Sequence, residues 1–236
     1  MTLPVAILAG GLATRLGPIT ETIPKVLVEI GGKPFAEHQL ALLLRNGITR
    51  VVFCVGHLGE MVREFLGDGS SYGMEIEYSF DGPKLQGTGG ALRNALPLLG
   101  SEFLVVYGDT YLECDYAAAE RAFLESGKAG LMTVFRNAGK WDRSNVVYRD
   151  GRIYNYDKRN PTPDMEHIDY GLGALRSDVF SLYPGDDFLD LETVYRNLLG
   201  RGELAGFEAA RRFYEIGSPE GLEETRNYLS EKETFR

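Results

Sequence analysis

At 236 residues, with 44% hydrophobic and 25% charged residues, the chain has globular composition and enough length to bury a full core. Its net charge of −9 argues against a nucleic-acid partner, which needs a basic face, but allows a small anionic ligand held by a few clustered cations. Two widely separated cysteines, Cys54 and Cys114, no apolar run near the ~20 residues of a membrane span and no basic segment before the first apolar stretch point to a reduced, cytoplasmic protein with no membrane partner and no secretory signal.

The first half alternates strand and helix patterns. Leu3 to Ala9 is a continuous apolar run, as expected of a strand covered on both faces. Ala36, Leu40, Leu43 and Leu44 mark a helix face that stops at Asn46-Gly47. Residues 50–55 read as the second strand, and Leu58, Met61, Val62, Phe65 and Leu66 follow at helical spacing, closed by Gly67. Residues 74–79 alternate as a strand, 88–99 form a short helix, and 103–107 are another buried strand, ending in Gly108-Asp109. Asp115 caps a helix running to about Ser126, and 131–135 is a further strand. Repeats of this kind predict a mostly parallel sheet with helices on both faces, and ligands in such sheets sit beyond the carboxyl ends of the strands.

The second half changes character. Residues 145–148 and 152–156 flank Arg149-Asp150-Gly151, a hairpin signal. A loop at 160–164 leads into the glycine-rich stretch Asp169-Tyr170-Gly171-Leu172-Gly173. Asp190 is placed to cap a helix carrying Leu191, Val194, Tyr195, Leu198 and Leu199, and 207–210 and 212–216 are short strands. Ser218-Pro219 opens a final helix, with serine at the N-cap and proline at N1.

The first strand ends in Gly10-Gly11, where missing side chains let backbone amides turn inward toward an anion; a plain turn is the competing reading. Neither the dinucleotide fingerprint nor the P-loop pattern is present. Arg15 and Lys25, in the irregular segment that follows, shift the balance toward an oligophosphate: a forked guanidinium for two oxygens and an ammonium as point charge. Asp109, at a buried strand end, would by itself read as a turn residue or helix cap, and Glu215 alone would read as an edge-strand glutamate. His38, His57 and His167 lack metal-site spacing and read as surface or capping residues, and Trp141 is either a cover for a pocket or packing.

The run LAGGLATRLGPITETIPK resembles the N-terminal motif of the sugar-1-phosphate nucleotidylyltransferases, G-G-x-G-T-R-L-x-P-x-T-x-x-x-P-K, with Ala13 in place of a glycine. Leu85-Gln86-Gly87-Thr88-Gly89-Gly90-Ala91, Tyr107-Gly108-Asp109-Thr110-Tyr111 and Tyr214-Glu215-Ile216-Gly217-Ser218-Pro219-Glu220 agree in the same order, so the resemblance covers nearly the whole chain. It implies a Rossmann-like α/β nucleotide-diphospho-sugar transferase fold. The sheet would be mixed and mostly parallel, in one domain spanning 1–236, with a nucleotide-binding half at 1–135 and a sugar-binding half at 136–236. The implied reaction joins the NMP of an NTP to a sugar 1-phosphate with release of pyrophosphate, using Mg²⁺.

Carried over by resemblance, Arg15 would hold the β- and γ-phosphates and Lys25 would sit over the reacting phosphates. Leu8, Ala9, Gly10 and Gly11 would line the nucleotide, and Gln86 and Gly89 would contact the base. Asp109 would bind Mg²⁺ together with Glu215, which stands where the family has an aspartate in D-x-G. On the sugar side Lys158 would take the sugar phosphate, with Asn145, Asp157, Asp169 and Gly171 around the sugar. The family's usual E-K and N-x-G patterns are altered here to Asp157-Lys158 and Asp169-Tyr170-Gly171, so the sugar is expected to be unusual.

Within the family the motifs look closest to heptose-1-phosphate guanylyltransferases, which implies GTP and D-glycero-α-D-manno-heptose 1-phosphate. N-acetylmuramate- or hexose-1-phosphate uridylyltransferases and mannose-1-phosphate guanylyltransferases are rivals. A non-catalytic nucleotide-sugar sensor on the same fold is the alternative class, and the sequence leaves a homo-oligomer open.

Overall fold

The computed structural model describes residues 2–11, 16–17, 22–82, 84–185 and 187–234. Val5–Leu8 forms β1, four buried residues paired in parallel with β4 (Arg50–Val55) on one side and β6 (Glu102–Tyr107) on the other. β5 (Glu75–Phe80) extends the parallel set beyond β4. β11 (His167–Arg176) then joins β6 antiparallel and carries two branches, β8 (Gly130–Arg136) with β12 (Leu204–Glu208), and the hairpin of β9 (Val146–Arg149) and β10 (Arg152–Tyr156). The sheet is thus parallel in its first half and chiefly antiparallel in its second, as four strand–helix units followed by a hairpin require.

Alternation along β1 divides the core. Val5 and Ile7 point to a face covered by α1 (Phe35–Arg45), α2 (Gly59–Leu66) and α4 (Tyr116–Ser126). Ala6 and Leu8 point to the other, covered by α3 (Gly87–Leu99) and α5 (Leu191–Gly200). A third cluster of Val28, Phe35, Tyr111, Ile216, Leu222 and Leu229 seats α6 (Pro219–Thr234). Among the described residues, no helix is long and apolar enough to cross a membrane.

The caps agree with the sequence: Asp115 accepts the Ala118 amide at 2.8 Å, and Ser218 Oγ accepts the Gly221 amide at 3.0 Å. Asp150 and Gly151 both have positive φ, 50° and 75°, the backbone of a two-residue hairpin turn whose twist matches its strands. Other expectations shift. Leu44, Met61 and Phe65 are exposed, because α1 and α2 bury narrower stripes than their apolar spacing allows. The glycine-rich stretch, left without an element in the sequence, is the middle of β11, where the pairing with β8 shifts register between Asp169 and Gly173. His167 is buried on β11, 3.2 Å from Glu208.

Candidate active site

Four neighbouring strands release the chain at the same edge of the sheet. β1 runs into Ala9-Gly10-Gly11, β4 into Gly56, β5 into Asp81 and β6 into Gly108-Asp109, and the ends of β1, β5 and β6 line a cleft of about 250 Å³. Leu8, Ala9, Gly10 and Gly11 all line it. Gly10 is closely packed: a methyl there would lie 3.1 Å from Asp81 Oδ2 and 3.2 Å from the Gly56 nitrogen. Arg15 and Ala13 lie outside the described residues.

Lys25 enters the cleft from a 3₁₀ turn, Lys25–Leu27, and its Nζ donates to Asp109 Oδ2 at 2.9 Å. Asp109 sits in the tight connection between β6 and β7 (Thr110–Leu112). Buried Gln39 of α1 braces this turn, its Nε2 donating to the Tyr107 and Thr110 carbonyls, both at 2.9 Å. The Ile216 amide donates to the Asp109 carbonyl at 2.9 Å. The carboxylate so fixed keeps 25% of its side chain exposed on the cleft.

Glu215 departs from expectation. The pairing of β13 (Phe213–Glu215) with β7 sets it opposite Thr110, near Asp109 in the backbone. Its carboxylate, however, turns back and accepts from the Gly217 amide and the Ser218 hydroxyl, at the start of α6. An acidic group there satisfies amides that have no partner within the helix. Among the described residues, no three acidic, histidine or cysteine side chains converge into a metal cage. The donor set still fits Mg²⁺, which binds one or two carboxylates and completes its shell with phosphate oxygens and water; Asp109 is the residue placed to hold it.

The backbones of Gln86 and Gly89, expected at the base, bond to the segment before α5, while Gln86 Oε1 is buried and has no hydrogen-bond partner among the described residues. The Gly89 and Gly90 amides donate to the Leu189 carbonyl at 2.7 and 3.0 Å, and the Leu189 amide returns a bond to the Gln86 carbonyl at 2.8 Å. A methyl on Gly89 would lie 2.8 Å from Leu189 Cγ, so this glycine admits the segment leading into α5. That segment brings Phe188 and Asp190 to the cleft. Asp190 makes no side-chain cap to α5, contrary to its reading as an N-cap, and its backbone carbonyl takes the Thr193 amide instead.

Asp81 was missed in the sequence. It lines the cleft with 8% exposure, and burial holds its pKa up at about 6, against a smaller lowering by the Gln86 backbone amide. Its signal was available: an acid-glycine pair directly after an alternating strand, much like Gly108-Asp109 after β6.

A second ion pair lies among the residues expected to surround the sugar. Lys158 Nζ lies 3.0 Å from Asp169 Oδ2, whose side chain is 4% exposed. Burial disfavours the ammonium, but Asp169, Tyr107 and Glu192 outweigh it and raise the Lys158 pKa. Tyr156 Oη donates to the same carboxylate at 3.0 Å, and Asn145 Oδ1 accepts the Asp169 amide at 2.9 Å. The Gly171 amide donates to Asp169 Oδ1 at 3.1 Å. Asp157 instead folds into its own turn, accepting the Arg159 and Asn160 amides at 2.8 Å, with its pKa lowered chiefly by the Asn160 amide. Lys158 Nζ stands 5.5 Å from the centre of the Tyr107 ring, and Tyr107 also lines the cleft, so the two ion pairs flank one tyrosine. Trp141 is half-exposed and packs against Arg212, whose guanidinium carbon is 4.6 Å from its ring.

Residues 5–144 match the family model described as nucleotidyl transferase. The chain belongs to the nucleotidyl transferase family. The N-acetylmuramate alpha-1-phosphate uridylyltransferase of Neisseria meningitidis serogroup B is 42% identical over 218 residues, 90% of this chain and 92% of that protein. The D-glycero-alpha-D-manno-heptose 1-phosphate guanylyltransferase of Campylobacter jejuni is 27% identical over 222 residues, 91% and 94% of the two chains. Among solved structures, HddC from Yersinia pseudotuberculosis complexed with GMP-PN superposes with a TM-score of 0.79 at 25% identity, covering 97% of this chain and 100% of that one. The strand-end cleft described above is therefore the candidate active site of a nucleotidyl transferase.

Proposed function

We propose that the chain transfers NMP from an NTP to a sugar 1-phosphate. The sugar phosphate attacks the α-phosphorus and pyrophosphate leaves. The observation that carries this reading is the pair of lysine–aspartate contacts on either side of Tyr107, one in the strand-end cleft and one beside it. Two polyanions must meet for this chemistry, so the site needs fixed cations more than a strong base.

In this reading the Gly10-Gly11 loop and Lys25 receive the triphosphate, and Arg15 adds its guanidinium to the departing pyrophosphate. Lys25 exchanges Asp109 for phosphate oxygens, which frees the Asp109 carboxylate for Mg²⁺. When bound, Mg²⁺ would draw negative charge from the phosphate oxygens. Lys158, kept charged by Asp169, holds the sugar phosphate for in-line attack. Residues 1–135 serve the nucleotide and 136–236 the sugar, within one domain.

GTP with D-glycero-α-D-manno-heptose 1-phosphate is the first substrate pair to test. UTP with N-acetylmuramate 1-phosphate is the second, favoured by the 42% identical relative. The assay is pyrophosphate release in Mg²⁺ over a grid of four NTPs against mannose, glucose, N-acetylglucosamine, N-acetylmuramate and heptose 1-phosphates. Release in one row and column is the expected result. Silence with NTP binding intact would leave a sensor, and silence without NTP binding would refute the nucleotide reading.

A further inference from the structure

At one end of the cleft lies a carboxylate that the reaction above does not use. Asp81 follows β5, and Asp109 follows β6; the sheet order β6-β1-β4-β5 separates them by three strand spacings, about 14 Å. A nucleoside triphosphate with its phosphates at Lys25 spans that distance and brings its base to Asp81. Among the described residues, no lysine or arginine pairs with Asp81, and its one hydrogen-bonding neighbour is the Gln86 backbone amide. A buried carboxylate facing a cleft with acceptor capacity to spare is complementary to a ligand donor.

The walls at this end suit a flat ring. Leu85 and Phe188 line the cleft and are 43% and 65% exposed, so they offer it apolar surface. Phe188 does not hang on a loose loop. Leu189 is bonded to Gln86, Gly89 and Gly90, and Arg93 donates to the Tyr183 and Asp187 carbonyls at 3.0 and 2.9 Å. An apolar surface is thus held in place beside an acceptor.

We propose that Asp81 selects the nucleobase, accepting a hydrogen bond from the ring N–H of guanine or uracil and repelling the ring-nitrogen lone pair that adenine and cytosine present instead. This rests on the NTP reading above. Guanine offers its N1–H and exocyclic amine to the two carboxylate oxygens, and uracil offers N3–H to one. In adenine and cytosine the corresponding ring nitrogen is itself an acceptor, and no proton lies between it and the carboxylate.

The test is equilibrium binding of GTP, UTP, ATP and CTP to the intact chain without sugar phosphate, with thermal denaturation of each variant as the folding control. Wild type should bind GTP or UTP at least about tenfold tighter than ATP and CTP. Asp81→Asn, whose amide both donates and accepts, should cut that ratio to about threefold or less without lowering the melting temperature. Phe188→Ala should weaken all four nucleotides together and keep the ratio, which separates stacking from edge reading. An unchanged ratio in Asp81→Asn, or a wild-type preference for ATP or CTP, overturns the proposal while leaving nucleotidyl transfer intact. Failure of folded wild type to bind any NTP would sink the nucleotide reading itself, and this inference with it.

Discussion

Replacing Asp81 by asparagine should stabilise the protein, and by an amount that depends on pH. In the unfolded chain this carboxyl ionises near 3.8, whereas in the fold burial holds it at about 6. Between those values the folded state binds the proton more tightly, so the stability that Asp81 contributes is complete below 3.8 and is lost as pH rises to about 6. Asparagine carries no charge and escapes that loss. A displacement of this size corresponds to about 3 kcal/mol at full burial; since part of the group is solvated, about 1–2 kcal/mol is expected at pH 8. The Gln86 amide keeps an acceptor in the variant, and the neighbouring Cys54, its thiol pushed up by burial and by Asp81, stays neutral throughout. For a chain of this length that is a rise of roughly 2–8 °C in melting temperature. Calorimetry of both proteins at pH 4 and pH 8 should show a small gap at the lower pH and the full gap at the higher. A gap that is constant with pH, or that closes at pH 8, would refute the buried-carboxylate argument.

Lys25→Ala should lower pyrophosphate release about 10²–10³-fold with a modest fall in melting temperature, because it leaves the partly buried Asp109 carboxylate without its cation; a rate near wild type would remove Lys25 from the reaction. Glu215→Gln keeps one acceptor and loses the other, so it should cost about 1 kcal/mol in denaturant unfolding and leave the Mg²⁺ requirement unchanged. A selective loss of Mg²⁺ affinity at full stability would restore Glu215 as a ligand. Gly89→Ala should displace the Leu189 segment, cost about 1–3 kcal/mol and raise the KM for NTP; unchanged unfolding would show that the close approach is not needed.

Features governed by a few consecutive residues were legible in the sequence. Asp115 and Ser218 cap their helices, and Asp150-Gly151 turns its hairpin, because a short polar side chain or a positive φ acts within one turn. The apolar spacing located α1 and α2, but the width of each buried stripe is set by the partner surface, which left Leu44, Met61 and Phe65 outside. The site divides the same way. The strand-end motif and Lys25-Asp109 were visible, since they sit where parallel strands deliver them. Local spacing could not show that Gly89 yields to Leu189, that Glu215 turns to α6 or that Asp190 faces the cleft, because each depends on contacts between distant segments. The replacement of E-K by Asp157-Lys158 drew attention to Lys158, but the carboxylate that pairs with this lysine is Asp169, brought alongside by β11.

The turn carrying Asp109 is braced by Gln39, from early in the chain, and by Ile216, from close to its last helix. During synthesis the parallel strands β1, β4, β5 and β6 are all translated before β13 exists to pair with β7. A growing chain can therefore lay down the parallel half of its sheet while the Asp109 turn still lacks one of its two supports. Such long-range contacts form late, after the entropy of closing the intervening loop has been overcome. Competence for catalysis should thus trail sheet formation in refolding, and appear only when the last strand docks.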